Sequence, residues 1–341
     1  MTLPSDERYA PHVADQKNHP VKRVQETGLP AAALQPTPLV RVEGVWAKLE
    51  YLNPSGSVKD RVASHVLAEG LRAGRLRPGS EVVEPTSGNA GIALAYWSAR
   101  LGLRAVVFMP ENMTEERKTI IRRHGARLIL TPEPEGVVGA IRRAREYAAE
   151  GSDRFLFDQF DDEAGVEAQE ALGREAVAQA REQELGPFDA VIAGVGTGGT
   201  IVGAGGAVKR AYPKARLIAV EPEASPLVCK QLFSRVCPPP AHPPLHDYPM
   251  AVCHLQEGIG DGLVPGIVRR HRDLIDDAML VSDQEALEET RRLHRAGHPA
   301  GPSSGTNMVV ARRLAAEGLT VLTFFPDRID RYRSLPEFKD V

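Results

Sequence analysis

The chain has 341 residues, 42% hydrophobic and 26% charged, an ordinary globular composition that excludes wholesale disorder. A net charge of -3 gives no global field to draw nucleic acid or anionic lipid, and no apolar run approaches the ~18 residues that a membrane span needs. The polar start (Asp6, Glu7, Asp15) does not read as a signal peptide, and Cys229, Cys237 and Cys253 form no CxxC pair, so free thiols in a reducing cytoplasm are expected.

The first 35 residues read as irregular. Short continuous apolar runs then alternate with helical patterns. A strand over 45–51 precedes a helix over 59–73, a strand over 81–84 a helix over 89–101, and a strand over 104–109 a helix over 114–125. A strand over 127–131 is followed by helices over 136–149 and 163–182. The strand over 189–193 leads into a helix over 199–211, and the strand over 216–221 into a loop over 229–254 rich in proline. A strand over 278–282, helices over 283–296 and 305–317, and a strand over 320–325 complete the series. Strand–helix alternation with runs buried on both faces predicts parallel sheets with right-handed crossovers. Ligands in such folds bind beyond the carboxyl ends of strands.

Four loops stand at those ends. In Asn53-Pro54-Ser55-Gly56-Ser57-Val58-Lys59-Asp60-Arg61 a turn runs into a helix, with Ser57 as the expected N-cap. A lysine at a helix N-terminus opposes the dipole, and that field with partial burial would free the neutral amine that imine chemistry needs. Only nine lysines occur in the chain, so candidates for such chemistry are few. Glu84-Pro85-Thr86-Ser87-Gly88-Asn89 again joins strand to helix and offers donors for a carboxylate. Gly194-Val195-Gly196-Thr197-Gly198-Gly199-Thr200 reads as an anion cradle, most naturally for one phosphate. With Glu221 as ribose acid it also fits the dinucleotide fingerprint, so an NAD-dependent oxidoreductase stays open on this segment. Gly301-Pro302-Ser303-Ser304-Gly305 fits a hydrolase elbow, but no strand precedes it and the last histidine, His298, comes before the serine. Gly258-Ile259-Gly260-Asp261-Gly262 is one more glycine turn. The histidines show no metal-ligand spacing, so no metal is expected.

Together the run Lys48-Leu49-Glu50-Tyr51-Leu52-Asn53-Pro54-Ser55-Gly56-Ser57-Val58-Lys59-Asp60-Arg61 and the later Thr86-Ser87-Gly88-Asn89 resemble the fold-type II pyridoxal-phosphate enzymes, in the cysteine synthase and cystathionine β-synthase branch. The resemblance runs from about Thr37 to Tyr332. It implies a two-lobed α/β fold, tryptophan synthase β-like, each lobe a mostly parallel twisted sheet flanked by helices. Residues 46–160 would form the smaller lobe, and 1–45 with 161–341 the larger one with its irregular arm. Pyridoxal 5'-phosphate would be held by Lys59 as an internal aldimine, by Asn89 at its 3'-oxygen, by Gly196, Thr197, Gly198, Gly199 and Thr200 at its phosphate, and by Ser303 at its pyridine nitrogen. Thr86, Ser87, Asn89 and Gln159 would receive the substrate carboxylate, and Gly258 would line the mouth.

The implied reaction is β-replacement on O-acetyl- or O-phosphoserine with sulfide, through an aminoacrylate, giving L-cysteine; a hydroxyl at the ring nitrogen suits prompt loss of a β-leaving group. Cystathionine formation, cysteine desulfhydration and a diaminopropionate-type synthase are alternatives within the family. The partners implied are a small amino-acid substrate and a small nucleophile, without nucleic acid or membrane, in a homodimer. The chain departs from the family at Ala90, where threonine is usual, at Glu170-Ala171-Leu172-Gly173, and at Arg328-Ile329; the proline-rich loop near Arg235 is expected to influence the choice of acceptor or leaving group.

Overall fold

The structure, a computed structural model, describes residues 34–233 and 254–341. In chain order its elements are β1 (Leu39–Val42), β2 (Val45–Lys48), α1 (Lys59–Arg72), β3 (Glu81–Pro85), α2 (Asn89–Arg100), β4 (Arg104–Pro110), α3 (Glu115–Arg123), β5 (Arg127–Thr131), α4 (Gly136–Ala149), β6 (Arg154–Leu156), α5 (Glu163–Glu182) and β7 (Ala190–Gly194). A π-helical stretch, Thr200–Gly205, runs into α6 (Gly206–Ala211), followed by β8 (Arg216–Pro222), α7 (Leu227–Phe233), α8 (Gly266–Arg270), β9 (Asp277–Val281), α9 (Asp283–Arg295), α10 (Pro302–Ala316) and β10 (Val321–Phe324).

Two sheets result, ordered β1-β2-β10-β7-β8-β9 and β5-β4-β3-β6. Every pairing is parallel except β1 with β2. In the larger sheet side chains alternate between two cores. Val191, Ala193, Leu217, Ala219, Leu322 and Phe324 pack on the side of α5 and the π-helical turn. Ala190, Ile192, Ile218, Val220 and Val321 pack on the side of α10 and α9. This burial on both faces is why the central strands read as unbroken apolar runs. Among the described residues no helix is long and apolar enough to cross a membrane.

The elements differ from expectation at particular places. Residues 46–48, expected in the smaller lobe, pair with β10 in the six-stranded sheet. Where a loop was expected from 229, residues 227–233 form the helix α7, because the first proline beyond Pro226 is Pro238 and the Glu221 carboxylate accepts the N–H groups of Val228 (2.8 Å) and Cys229 (2.9 Å) at its start. Residues 1–33 and 234–253, with Arg235, Cys237 and Cys253, lie outside the described residues. Helix α10 starts at Pro302 rather than 305, since proline at the first helical position is pre-set for the turn and needs no N–H partner.

Candidate active site

Lys59 is the first residue of α1, and the turn before it is organised by Asp60 more than by Ser57. Asp60 Oδ2 accepts Ser55 N (3.0 Å), Ser55 Oγ (2.8 Å) and Ser57 N (3.4 Å), while its Oδ1 accepts Trp97 Nε1 at 2.7 Å. Ser57 Oγ accepts only the Lys59 N–H, at 3.3 Å, and Val58 occupies the cap position. With its backbone fixed in this way, the Lys59 side chain extends toward the residues beyond the ends of β3 and β7. There its Nζ donates to Gln159 Oε1 (2.9 Å) and to Thr197 Oγ1 (3.1 Å). The amine and the glycine–threonine loop are therefore adjacent, across 138 residues of sequence. Burial lowers the Lys59 pKa from 10.5 to about 8, with Glu84 and Asp261 pulling the other way.

The loop 196–200 is shaped for close backbone approach. Gly198 has φ +84, and a Cβ there would lie 2.1 Å from Val268 Cγ2. A Cβ on Gly196 would lie 2.6 Å from the Gly258 carbonyl oxygen, which brings the Gly258 turn against the cradle. Among the described residues the N–H groups of Gly196, Thr197, Gly198 and Gly199 donate to no partner. Such unspent donors before a helix are what an anion requires.

The other expected residues surround this point. Thr86 is buried and its Oγ1 accepts Gly88 N at 3.0 Å, so it shapes its own loop. Ser87, Asn89 and Thr200 are half-buried. Ser87 Oγ donates to Asp261 Oδ1 at 3.5 Å, and Asn89 Nδ2 donates to Asp327 Oδ2 at 2.6 Å. Ala90 is buried and brings no donor. Gln159 is buried, and its Nε2 donates to Glu84 Oε1, so its oxygen end faces Lys59. Ser303 is buried in the first turn of α10. One turn on, Asn307 Oδ1 accepts the Gly194 N–H at 2.7 Å, and residues four apart share a helix face, so Ser303 lies toward the end of β7. Gly258 is exposed, and its carbonyl oxygen stands against Gly196.

Four acidic or aromatic residues of the cleft escaped the sequence reading. Glu84 is fully buried, and burial raises its pKa well above the ordinary value. Asp261 opens to the cleft, and desolvation raises its pKa too. Asp327 and Tyr332 are fully buried, and Arg117 stacks on the Tyr332 ring at 4.7 Å while its Nη1 bonds Glu257 Oε2 at 2.8 Å. Glu84 and Asp261 stand inside the quoted motifs, so position alone could have flagged them. Glu221, the ribose acid of the nicotinamide reading, is spent capping α7, and burial raises its pKa to about 7.

The sequence profile of the pyridoxal-phosphate-dependent enzymes matches residues 31–327. Cysteine synthase of Staphylococcus aureus is 38% identical over 313 residues, 88% of this chain and 93% of that protein. The crystal structure of an O-acetylserine-dependent cystathionine β-synthase from Helicobacter pylori matches with a TM-score of 0.76 at 35% identity, over 89% of this chain and 96% of that one. A hydrogen sulfide-producing enzyme from Fusobacterium nucleatum matches with a TM-score of 0.76 at 32% identity, over 86% and 83%. The chain belongs to the family of pyridoxal-phosphate-dependent enzymes. Its cofactor is pyridoxal phosphate, and the residues fit one: a partly desolvated amine lies 3.1 Å from a loop whose backbone donors are unspent.

Proposed function

We propose that the chain makes L-cysteine by β-replacement on O-acetyl-L-serine with sulfide. The observation that carries this is the single point at which Lys59 Nζ meets Gln159 and Thr197, at 2.9 and 3.1 Å. The likeness to the Staphylococcus aureus cysteine synthase supports the reaction. The two sheets read as two lobes with the cleft between their carboxyl ends, and the assembly as a cytoplasmic homodimer.

Pyridoxal phosphate, when bound, supplies an electrophilic carbon for an amine and a ring that withdraws electrons from the substrate α-carbon. The chain does the rest. Residues 196–200 would hold the phosphate on their free N–H groups and threonine hydroxyls. Asn89 would donate to the phenolic oxygen, and Ser303 would meet the ring nitrogen with a neutral hydroxyl. Thr86 and Ser87 would orient the substrate carboxylate, which sets the α-hydrogen toward Lys59; the amides expected there with them are otherwise engaged, Asn89 on Asp327 and the phenolic oxygen, Gln159 on Glu84 and Lys59. Lys59 Nζ, whose lowered pKa of about 8 leaves much of it neutral near that pH, would take that proton and return it.

Asp261 bears on which serine ester is used. Its carboxyl accepts the Ser87 hydroxyl at 3.5 Å, and the β-substituent would lie beside it. A neutral acetyl group is tolerated there, whereas a phosphate meets a like charge. Replacing Asp261 with alanine is expected to raise kcat/KM for O-phospho-L-serine relative to O-acetyl-L-serine roughly tenfold, the scale of a partly screened charge contact. An unchanged ratio would remove Asp261 from this choice. The main test is conversion of O-acetyl-L-serine and sulfide to L-cysteine by purified, cofactor-loaded protein. Release of sulfide from L-cysteine without that synthesis would favour instead a breakdown reaction, which the likeness to the Fusobacterium nucleatum enzyme makes the second reading.

A further inference from the structure

Asn89 opens α2 at the cleft, and its bonding partner stands 238 residues away. A carboxamide has two ends of nearly equal size, one a donor and one an acceptor, and nothing in the residue itself decides which end turns outward. Here the decision comes from Asp327. Its Oδ2 accepts Asn89 Nδ2 at 2.6 Å and also accepts the Tyr332 hydroxyl. Asp327 and Tyr332 are each 0% exposed, so water does not compete for these bonds. An oxygen that accepts can face only the nitrogen end of the amide. Asn89 Nδ2 stands 3.9 Å from where a Cβ on Gly258 would be, and the Tyr332 hydroxyl stands at the same distance, so both border the mouth of the cleft. The second N–H of Asn89 bonds nothing among the described residues, and its Oδ1 is buried without a partner.

Asp327 is itself held in place. Beyond Tyr332, the Arg331 guanidinium lies close and anchors to the Gly56 carbonyl oxygen at 2.6 Å, on the loop that precedes Lys59. Burial raises the Asp327 pKa, while Arg331, Tyr332, Asn89 and Arg117 favour the charged form. Oδ2 accepts in either state when the proton sits on Oδ1.

We infer that Asp327 is a positioning residue: with Tyr332 as its clamp, it turns the nitrogen end of Asn89 toward the cleft, so that an N–H meets the phenolic oxygen of the bound cofactor. This rests on the role of Asn89 proposed above. Asparagine at position 327 would accept or donate equally well, so the Asn89 amide would lose its fixed sense.

The test titrates cofactor-free protein with pyridoxal phosphate, following tryptophan fluorescence, and records the visible absorption maximum of the loaded protein beside its melting curve. Asp327→Asn is expected to bind the cofactor roughly tenfold more weakly, the size of one hydrogen bond, and to show a displaced maximum. The exchanged pair Asn89→Asp with Asp327→Asn keeps the volume and one bond between the residues. It should recover the melting temperature of the wild type but neither its affinity nor its maximum. Wild-type affinity and maximum in Asp327→Asn, or their return in the exchanged pair, overturns the inference. Should Asp327→Asn not fold, Tyr332→Phe decides: a displaced maximum supports the clamp and an unchanged one overturns it. A wild-type protein that takes up no cofactor would overturn the reading of the whole site, a result distinct from these.

Discussion

Lys59→Ala is expected to lower turnover of O-acetyl-L-serine at least ~10³-fold, within the range that a positioned acid–base group contributes, while the protein stays folded. Folding should survive because the turn before α1 is held by Asp60 and Trp97 rather than by the lysine side chain. Among the described residues, the two other buried lysines are committed elsewhere. Lys48 is fully buried, and its Nζ is shared among Thr37, Glu175 and Gln179. Lys118 is bound to the Glu111 carbonyl oxygen and the Glu115 carboxylate. Borohydride treatment of loaded wild-type protein should therefore add the cofactor's mass to the peptide carrying residue 59 alone, and Lys59→Ala should gain none. Near-normal turnover in Lys59→Ala would end the assignment.

The same amine gives a pH prediction. Burial holds the Lys59 pKa near about 8 instead of 10.5. The neutral fraction then grows as pH rises toward 8 and levels off above it, whereas an ordinary lysine is still gaining there. Acylation of Lys59 in cofactor-free protein by an amine-directed reagent, read by mass spectrometry, should follow that curve with a midpoint near pH 8. A midpoint above pH 10, that of an ordinary lysine amine, would contradict it.

Much of this site was legible in the sequence because its donors come as contiguous loops at strand ends. Lys59, Thr86, Ser87, Asn89 and the 196–200 cradle stand in short motifs whose chemistry is local. Glu84, Asp261 and Asp327 were not legible as partners, because what each does depends on residues far along the chain: Gln159 for Glu84, Ser87 for Asp261, Asn89 for Asp327. The central strands were legible as apolar runs. The edge strands β1 (LVRV) and β6 (RFL) were not, since three or four residues carry too little pattern to separate from loop. The helix at 227–233 was hidden by its proline-rich sequel, and its start is secured by Glu221, six residues upstream of Leu227.

The largest stability effect is expected away from the chemistry, at Glu50. Its buried carboxylate accepts Arg61 Nε (2.6 Å), Arg61 Nη2 (2.8 Å), Thr37 Oγ1 (2.5 Å) and Asn53 Nδ2 (2.7 Å). Arg61, one helical step beyond Lys59 and Asp60, also binds Glu175 Oε2 at 2.9 Å. Burial alone would push the Glu50 pKa up, but the Arg61 guanidinium and its hydrogen bonds, with Lys48 and Thr37, hold it below the ordinary value. Glu50→Gln keeps the shape and removes the charge, leaving two buried cations, Arg61 and Lys48, with Glu175 as their shared counterion. Breaking a buried pair in this way costs about 3–5 kcal/mol, which denaturant unfolding would read as a lower midpoint at unchanged slope.

The sign with pH follows from the depressed pKa. Glu50 contributes stability above its unfolded value, about 4.5, and loses it as pH falls through the lower folded value. The gap between wild type and Glu50→Gln should therefore be widest near neutrality and narrow in acid. The double variant Glu50→Met with Arg61→Met removes the pair together and leaves Lys48 with Glu175, so it should be less destabilised than Glu50→Gln alone. If the double variant is the weaker of the two, the network holds α1 by packing and not by charge, and Lys59 owes its placement to the apolar contacts of that helix instead.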